Sequence, residues 1–248
     1  MSSLHKFFVL NEQITNKKVI LKGSDVSHIR AVLRLRVGDS IQVINGSDKW
    51  FTVRLIELKP KEVLGEITGS KTVIVESPLR IHLGQALIKA NKFDVVLRKS
   101  VELGVRSVTP LSTERCVVKI HREEGGKKTD RWKKIAQESS KQCGRSQVPQ
   151  ISENIETLET FCSKNNDKAL KLVFWELEEK IILKDLKLEV APDSVAVLIG
   201  PEGGFSQGEI EKAREYGFKT VSLGPRILRA ETAPVVALAL LQSLWGDL

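Results

Sequence analysis

The sequence predicts an α/β protein in which a parallel-sheet domain follows a β-rich module, and three observations predict it. Two short apolar runs near the C-terminus, 195–199 and 220–223, read as buried strands. Each stops at a Gly-Pro pair, Gly200-Pro201 and Gly224-Pro225, that no strand continues through. Behind each lies a helix signal: Ser206 as N-cap with Glu209 three residues on, then Thr232 ahead of a long Ala/Leu/Val run. Strand, glycine turn and helix, twice over, make half of a parallel sheet, and ligands bind beyond the carboxyl ends of such strands. A small-molecule pocket is expected at these two turns.

The first seventy or so residues follow another grammar. Short alternating runs recur at 18–21, 40–44, 50–56 and 63–67, and Asn45-Gly46 is a strong hairpin signal. Several short strands at such spacing suggest a small barrel. One helix interrupts them, opening at Ser24 or Asp25 and running through His28-Ile-Arg-Ala-Val-Leu-Arg34 to a stop before Gly38. Its Arg30, Arg34 and Arg36, with Lys6 and Lys22, are candidates for one basic face, although an exposed amphipathic helix carries such charges anyway. A turn at 71–78 reads as the link to the second domain.

From Leu79 strands and helices alternate. Residues 79–87 read as a strand, 92–103 as a helix ended by Gly104, and 105–111 and 116–118 as further strands. A charged loop, 121–129, precedes a helix capped by Asp130 and stopped at Gly144. A short helix at 155–161 and a buried strand at 171–176 complete the pattern.

The totals narrow the class. The longest apolar stretch, 233–241, contains Pro234 and is too short to span a bilayer. No basic-then-apolar leader precedes Phe7, so a cytoplasmic protein is expected. Three cysteines, Cys116, Cys143 and Cys162, fit neither a disulfide framework nor a zinc site, so no metal is expected. The net charge of +8 suits a polyanionic partner, with an ordinary basic surface an equal reading on charge alone.

The glycine loops are not phosphate loops. Gly-Pro-Glu-Gly-Gly204 is followed by Phe205 and Ser206, not Lys-Ser/Thr, and Pro201 and Glu202 break any Gly-x-Gly-x-x-Gly frame. In the second loop Arg226, Arg229 and Glu231 crowd one turn before an otherwise apolar helix. A surface salt bridge is the bland explanation, and a functional ion cluster the sharper one.

Five separated motifs then resemble one family. They are Phe7-Phe8; His28 to Arg34 with Gly38-Asp39; Lys99-Ser-Val-Glu-Leu-Gly104 with Pro110-Leu111 and Glu114-Arg115; Gln142-Cys-Gly-Arg145 with Val148-Pro149; and the two loops, Ile199-Gly-Pro-Glu-Gly-Gly-Phe205 and Leu223-Gly-Pro-Arg-Ile-Leu-Arg-Ala-Glu-Thr-Ala233. Together they resemble the RsmE family of 16S ribosomal RNA uracil-N3 methyltransferases, of the SPOUT class. Lys6 and Lys141 depart from the arginine and glutamate usual there, and both keep or raise the positive charge.

The resemblance implies an N-terminal PUA-like β-barrel over 1–72 and a knotted α/β methyltransferase domain over 73–248, with a deep trefoil knot and pairing of two subunits across it. It implies S-adenosyl-L-methionine as cofactor, held by Ile199, Gly200, Glu202 and Gly203 and by Leu223, Gly224, Ile227, Leu228, Arg229, Thr232 and Ala233. The strand end at 174–177 is a third wall. The substrate would be 16S rRNA or the assembled small subunit, contacted through Lys6, Arg30, Arg34, Arg36, Lys92, Lys99, Arg115 and Arg145, with Arg122, Lys133 and Lys134 beside them. Arg229 is assigned the electrostatic role and Glu231 the orienting or proton-accepting one. Cys143 reads as a structural thiol. A non-catalytic RNA-binding protein, or an α/β enzyme with another nucleotide, remains the alternative.

Overall fold

The computed structural model describes residues 4–119, 122–186 and 188–248. The chain divides into two compact units, one of residues up to Glu76 together with Ser140–Val148, the other of Ser77–Ser139 with Pro149–Leu248.

In the first unit, six strands form one curled sheet: β1 (Lys6–Phe8), β2 (Ile14–Thr15), β3 (Lys18–Lys22), β4 (Ser40–Ile44), β5 (Lys49–Leu58) and β6 (Glu62–Thr72), in the order β1-β4-β5-β6-β3-β2. Alternate residues point inward, so Val19, Leu21, Ile41, Val43, Val53, Leu55 and Val63 share one core. Two register shifts between β5 and β6 supply the curl. Asn45-Gly46 lies in the β4–β5 hairpin, as the sequence suggested. The expected helix is short: α1 (Ser24–Ser27) passes into a π-helical turn, His28–Val32, and ends where Arg34 takes a left-handed φ of 53°. Residues 140–148 are tied in by Glu76. Its carboxylate accepts the Arg145 guanidinium at 2.6 Å and the backbone N–H groups of Ser146 and Gln147, each at 2.9 Å.

In the second unit every strand pairing is parallel. The elements are β7 (Arg80–Ala86), α2 (Ala90–Glu102), β8 (Ser107–Ser112), α3 (Arg122–Cys143), β9 (Gln150–Ile151), β10 (Glu156–Thr157), α4 (Leu158–Lys164), β11 (Leu170–Phe174), β12 (Ser194–Ile199), α5 (Gln207–Glu215), β13 (Lys219–Val221) and α6 (Ala233–Trp245). The order is β10-β8-β7-β12-β11-β13, with β9 also on β8. Both faces are covered, and β12 shows it residue by residue: Val195, Val197 and Ile199 pack with α2 and α6, Ala196 and Leu198 with α4 and α5.

Three expectations need correction. Residues 116–118 form no strand; Cys116 instead turns its buried thiol toward the Thr113 hydroxyl and the Leu87 carbonyl. The stretch read as a charged loop before Asp130 is helical from Arg122, with Gly125 and Gly126 inside the helix; His121 lies outside the described residues. The helix expected at 155–161 starts at Leu158, because Glu156 and Thr157 pair with β8 and Thr157 caps the helix. Short edge pairings of two residues carry no period for a sequence to show.

Candidate functional site

The strand order fixes where a ligand can sit. From β7 the chain crosses to β8 on one side, and from β12 it crosses over β11 to β13 on the other. β7 and β12 are neighbours, so the direction of winding reverses between them, and in sheets of this kind ligands bind beyond the carboxyl ends of such strands. The glycine turns after β12 and β13 both lie at that end of the sheet.

The first turn is built to stay put. The Gly204 N–H donates to Pro201 O at 3.0 Å, and its φ of +67° is one that side chains resist. A Cβ there would run into the Glu176 carboxyl. Ser206 and Glu209 form the expected capping box on α5, and Glu209 also accepts the Glu114 N–H at 2.9 Å. Arg115 reaches Gly203 O at 3.2 Å, and the Lys89 N–H approaches Glu202 at 3.4 Å. Ile199 is buried, while Glu202 and Gly203 face solvent.

The second turn is open. Leu223 packs against the core, Gly224 takes φ +107°, and Ile227 is 84% exposed. Among the described residues, the backbone N–H groups of Arg226, Ile227, Leu228 and Arg229 donate to no acceptor. Free backbone donors can pair with ring nitrogens of a purine, whose binding also needs apolar walls from side chains. The turn closes when Thr232 and Ala233 donate to Arg229 O at 2.8 and 3.0 Å, starting α6. Thr232 itself makes no side-chain cap, and Pro234 follows in the first turn of the helix.

Arg229 is exposed and its guanidinium makes no hydrogen bond among the described residues. Glu231 does have a partner that sequence reasoning missed. Lys92, in the first turn of α2 and assigned above to RNA, places its ammonium 3.1 Å from the Glu231 carboxylate. The residue's own backbone N–H and then Lys92 hold this carboxyl below its ordinary value, with Arg229 adding to the effect. A group so stabilised is a weak proton acceptor, and orientation is the role it fits. No spacing in the sequence could pair residues 92 and 231.

The other assigned cations are scattered. Arg30, Arg34 and Arg36 are exposed, and Arg30 reaches Lys59 O at 3.5 Å. Lys6 stands 4.6 Å from the Trp50 ring centre, and Lys141 pairs with Asp25 at 3.0 Å. Lys99 pairs with Glu102 in its own helix, Lys133 pairs with Glu153, and Lys134 is exposed. Arg145 is only 5% exposed and spends its guanidinium on Glu76, a role in holding the chain together. The Arg122 side chain lies outside the described residues. None of the three cysteines is in a disulfide; Cys143 is exposed, and burial pushes the Cys162 thiol up to about 12. Among the described residues no group of three or more metal-ligating side chains converges, and no helix is long and apolar enough to cross a membrane.

A doubly wound parallel sheet with open backbone donors at its switch point is a small-molecule-binding α/β domain, and comparison with known proteins gives its class. Residues 75–242 match the family model of an RNA methyltransferase domain, and residues 21–68 that of an RNA methyltransferase PUA domain. The fold is thus of the SPOUT type with a PUA-like module. The chain is 36% identical over 241 residues to the ribosomal RNA small subunit methyltransferase E of Buchnera aphidicola (from Schizaphis graminum), covering 94% of this chain and 93% of that one. It is 38% identical, with a TM-score of 0.90 and full coverage of both chains, to a Legionella pneumophila methyltransferase solved with bound SAM. It is 33% identical to a ribosomal RNA small subunit methyltransferase E of Neisseria gonorrhoeae solved with S-adenosyl methionine, at a TM-score of 0.88 over 98% of this chain and 99% of the other. The chain belongs to the RsmE family of RNA methyltransferases.

Proposed function

We propose that this protein transfers a methyl group from S-adenosyl-L-methionine to N3 of a uridine in small-subunit (16S) ribosomal RNA, within the cytoplasm. The observation that carries the reading is the run of four unpartnered backbone donors at 226–229, beside Arg229 and the Lys92–Glu231 pair. Leu223, Ile227 and Leu228 would wall the adenine, with 199–203 as floor and 174–177 as third wall. Thr232 and Ala233 close the loop. The bound cofactor supplies an electrophilic methyl on a sulfonium.

The protein's own task is alignment and charge. Uridine N3 carries a proton at neutral pH and must give it up to solvent water before its lone pair can form the new N–C bond as the methyl's bond to sulfur breaks. The Arg229 guanidinium stabilises the anion on the two flanking carbonyl oxygens. Glu231, kept ionised by its own N–H and Lys92, orients Arg229 and the loop. The base must leave its stack to reach the site.

RNA binding is divided between a barrel over 1–72, offering Lys6, Arg30, Arg34 and Arg36, and the domain over 73–248, offering Lys92, Lys99 and Arg115. A trefoil knot and a homodimer paired across it complete the reading, supported by the family relationship and by the exposed Leu240 and Leu244 on α6. Small subunits lacking the modification, incubated with labelled cofactor and mapped base by base, should gain one methyl at a uridine N3. Label at another base, or none, would defeat the assignment. Affinity for RNA should fall linearly with salt on logarithmic axes, and a flat plot would defeat the phosphate contacts.

A further inference from the structure

The segment after β11 grips the strand that carries the open loop. Residues 175–183 leave β11, turn, and return along the opposite edge of β13. On one edge the Trp175 N–H donates to Val221 O at 3.1 Å. On the other, the Ser222 N–H donates to Ile181 O at 2.8 Å and the Leu183 N–H to Ser222 O at 3.4 Å, with Ile182 and Ser222 forming a parallel bridge. Val221 and Ser222 are the last two residues before the loop opens at Leu223. One strap holds their backbone from both sides.

Glu178 is what holds the strap. Its Oε1 accepts the N–H groups of Lys180 and Ile181 at 2.9 and 3.3 Å, fixing the turn. Its Oε2 accepts the Thr220 hydroxyl at 2.5 Å, and Thr220 belongs to β13. That hydroxyl in turn accepts from Arg214 at 3.0 Å, and the guanidinium lies 5.8 Å from the Trp175 ring centre. The carboxylate side chain is 10% exposed. The Thr220 hydroxyl, and then the two backbone donors, keep it below the usual carboxylate range. A nearly buried carboxylate whose hydrogen bonds all go to the strap and β13, with the Arg214 guanidinium of α5 4.0 Å away, is specified in geometry, because losing one partner leaves the others unsatisfied.

We propose that Glu178 is a positioning residue for the cofactor loop: by locking 175–183 to β13 it fixes where residues 223–229 present their backbone donors. The inference rests on that loop being the cofactor loop. It is tested by measuring S-adenosylmethionine affinity calorimetrically, with KM and kcat, on the full-length wild-type, Glu178→Ala, Glu178→Gln and Thr220→Val proteins. Glu178→Ala should weaken cofactor binding and raise its KM roughly tenfold or more, with kcat at saturating cofactor within about threefold. Glu178→Gln, which keeps an acceptor for the strap, and Thr220→Val, which frees only β13, should fall between. Should Glu178→Ala fail to fold, these two milder variants carry the comparison. Unchanged cofactor affinity in the variants, with wild type binding normally, overturns the inference alone; so does a loss confined to kcat. Wild-type protein that takes up no cofactor overturns the cofactor reading beneath it.

Discussion

Two loops that look alike in sequence, each an apolar strand ending in Gly-Pro, become opposites in the structure. The loop after β12 is closed on itself: Pro201, Gly204, Phe205 and Ser206 are buried, its turn is hydrogen-bonded, and its exit is capped on both sides. The loop after β13 exposes Ile227 almost completely and leaves a run of backbone donors unspent. The difference teaches that the same punctuation can make a rigid floor or a recognition edge. What decides is whether a helix cap and neighbouring carboxylates consume the backbone groups.

The sharpest way to break this comparison is Arg229→Ala. If the open loop carries the chemistry, kcat should fall about 10²–10³-fold while folding is untouched, since one charge-stabilising donor is typically worth that much. Turnover within threefold of wild type would remove Arg229 from catalysis. The glycines divide the loops next. Gly204→Ala meets both a left-handed φ and the Glu176 carboxyl, and should cost about 2–3 kcal/mol in denaturant unfolding. Gly224→Ala meets open space and should cost about 1 kcal/mol through backbone strain alone. Equal costs would mean the two loops are equally packed.

Lys92→Met sharpens the assignment of Glu231. Without the ammonium the carboxyl pKa rises toward its ordinary value, so any acid limb of the pH–rate profile should move to higher pH. The pair is partly exposed, so stability should change by no more than about 1 kcal/mol. An unmoved limb would take Glu231 out of the chemistry. The smallest effect on activity belongs to His82, toward the amino end of β7 and so at the end of the sheet away from both loops. Burial, with Lys168, Arg106 and Arg80 around it, lowers its pKa from 6.5 to about 4. The unfolded chain therefore takes up a proton that the folded chain refuses, and stability should fall as the pH drops from 6.5 to about 4. In His82→Gln that slope should flatten with activity at neutral pH unchanged; an unaltered slope would locate it elsewhere.

The sheet was legible where strands are buried on both faces: β12 reads as a nearly continuous apolar run, and β7 and β11 carry apolar residues at most of their buried positions. The capping box at Ser206 was legible for the same local reason: both its partners lie within three residues. What the sequence hid was whatever depends on pairing across distance. Lys92 reads as one more surface cation until α2 sets it against Glu231, and Arg145 reads as an RNA contact until Glu76 claims it. Glu178 sat unremarked in a charged stretch because its partners, Lys180, Ile181 and Thr220, are mostly backbone groups or lie in another strand. The stretch 121–129 read as a charged loop, yet Gly125 and Gly126 lie inside a helix of 22 residues, whose other turns offset the roughly 1 kcal/mol that each glycine costs.

Hydrogen exchange at single-residue resolution, with and without saturating S-adenosylmethionine, tests the contrast between the loops most directly. The amides of Ile227, Leu228 and Arg229 should exchange freely in the unbound protein and become protected on binding, while Gly204, already bonded to Pro201, should be slow in both states. Cofactor binding that leaves 226–229 unprotected would contradict the assignment of the open loop as the recognition edge.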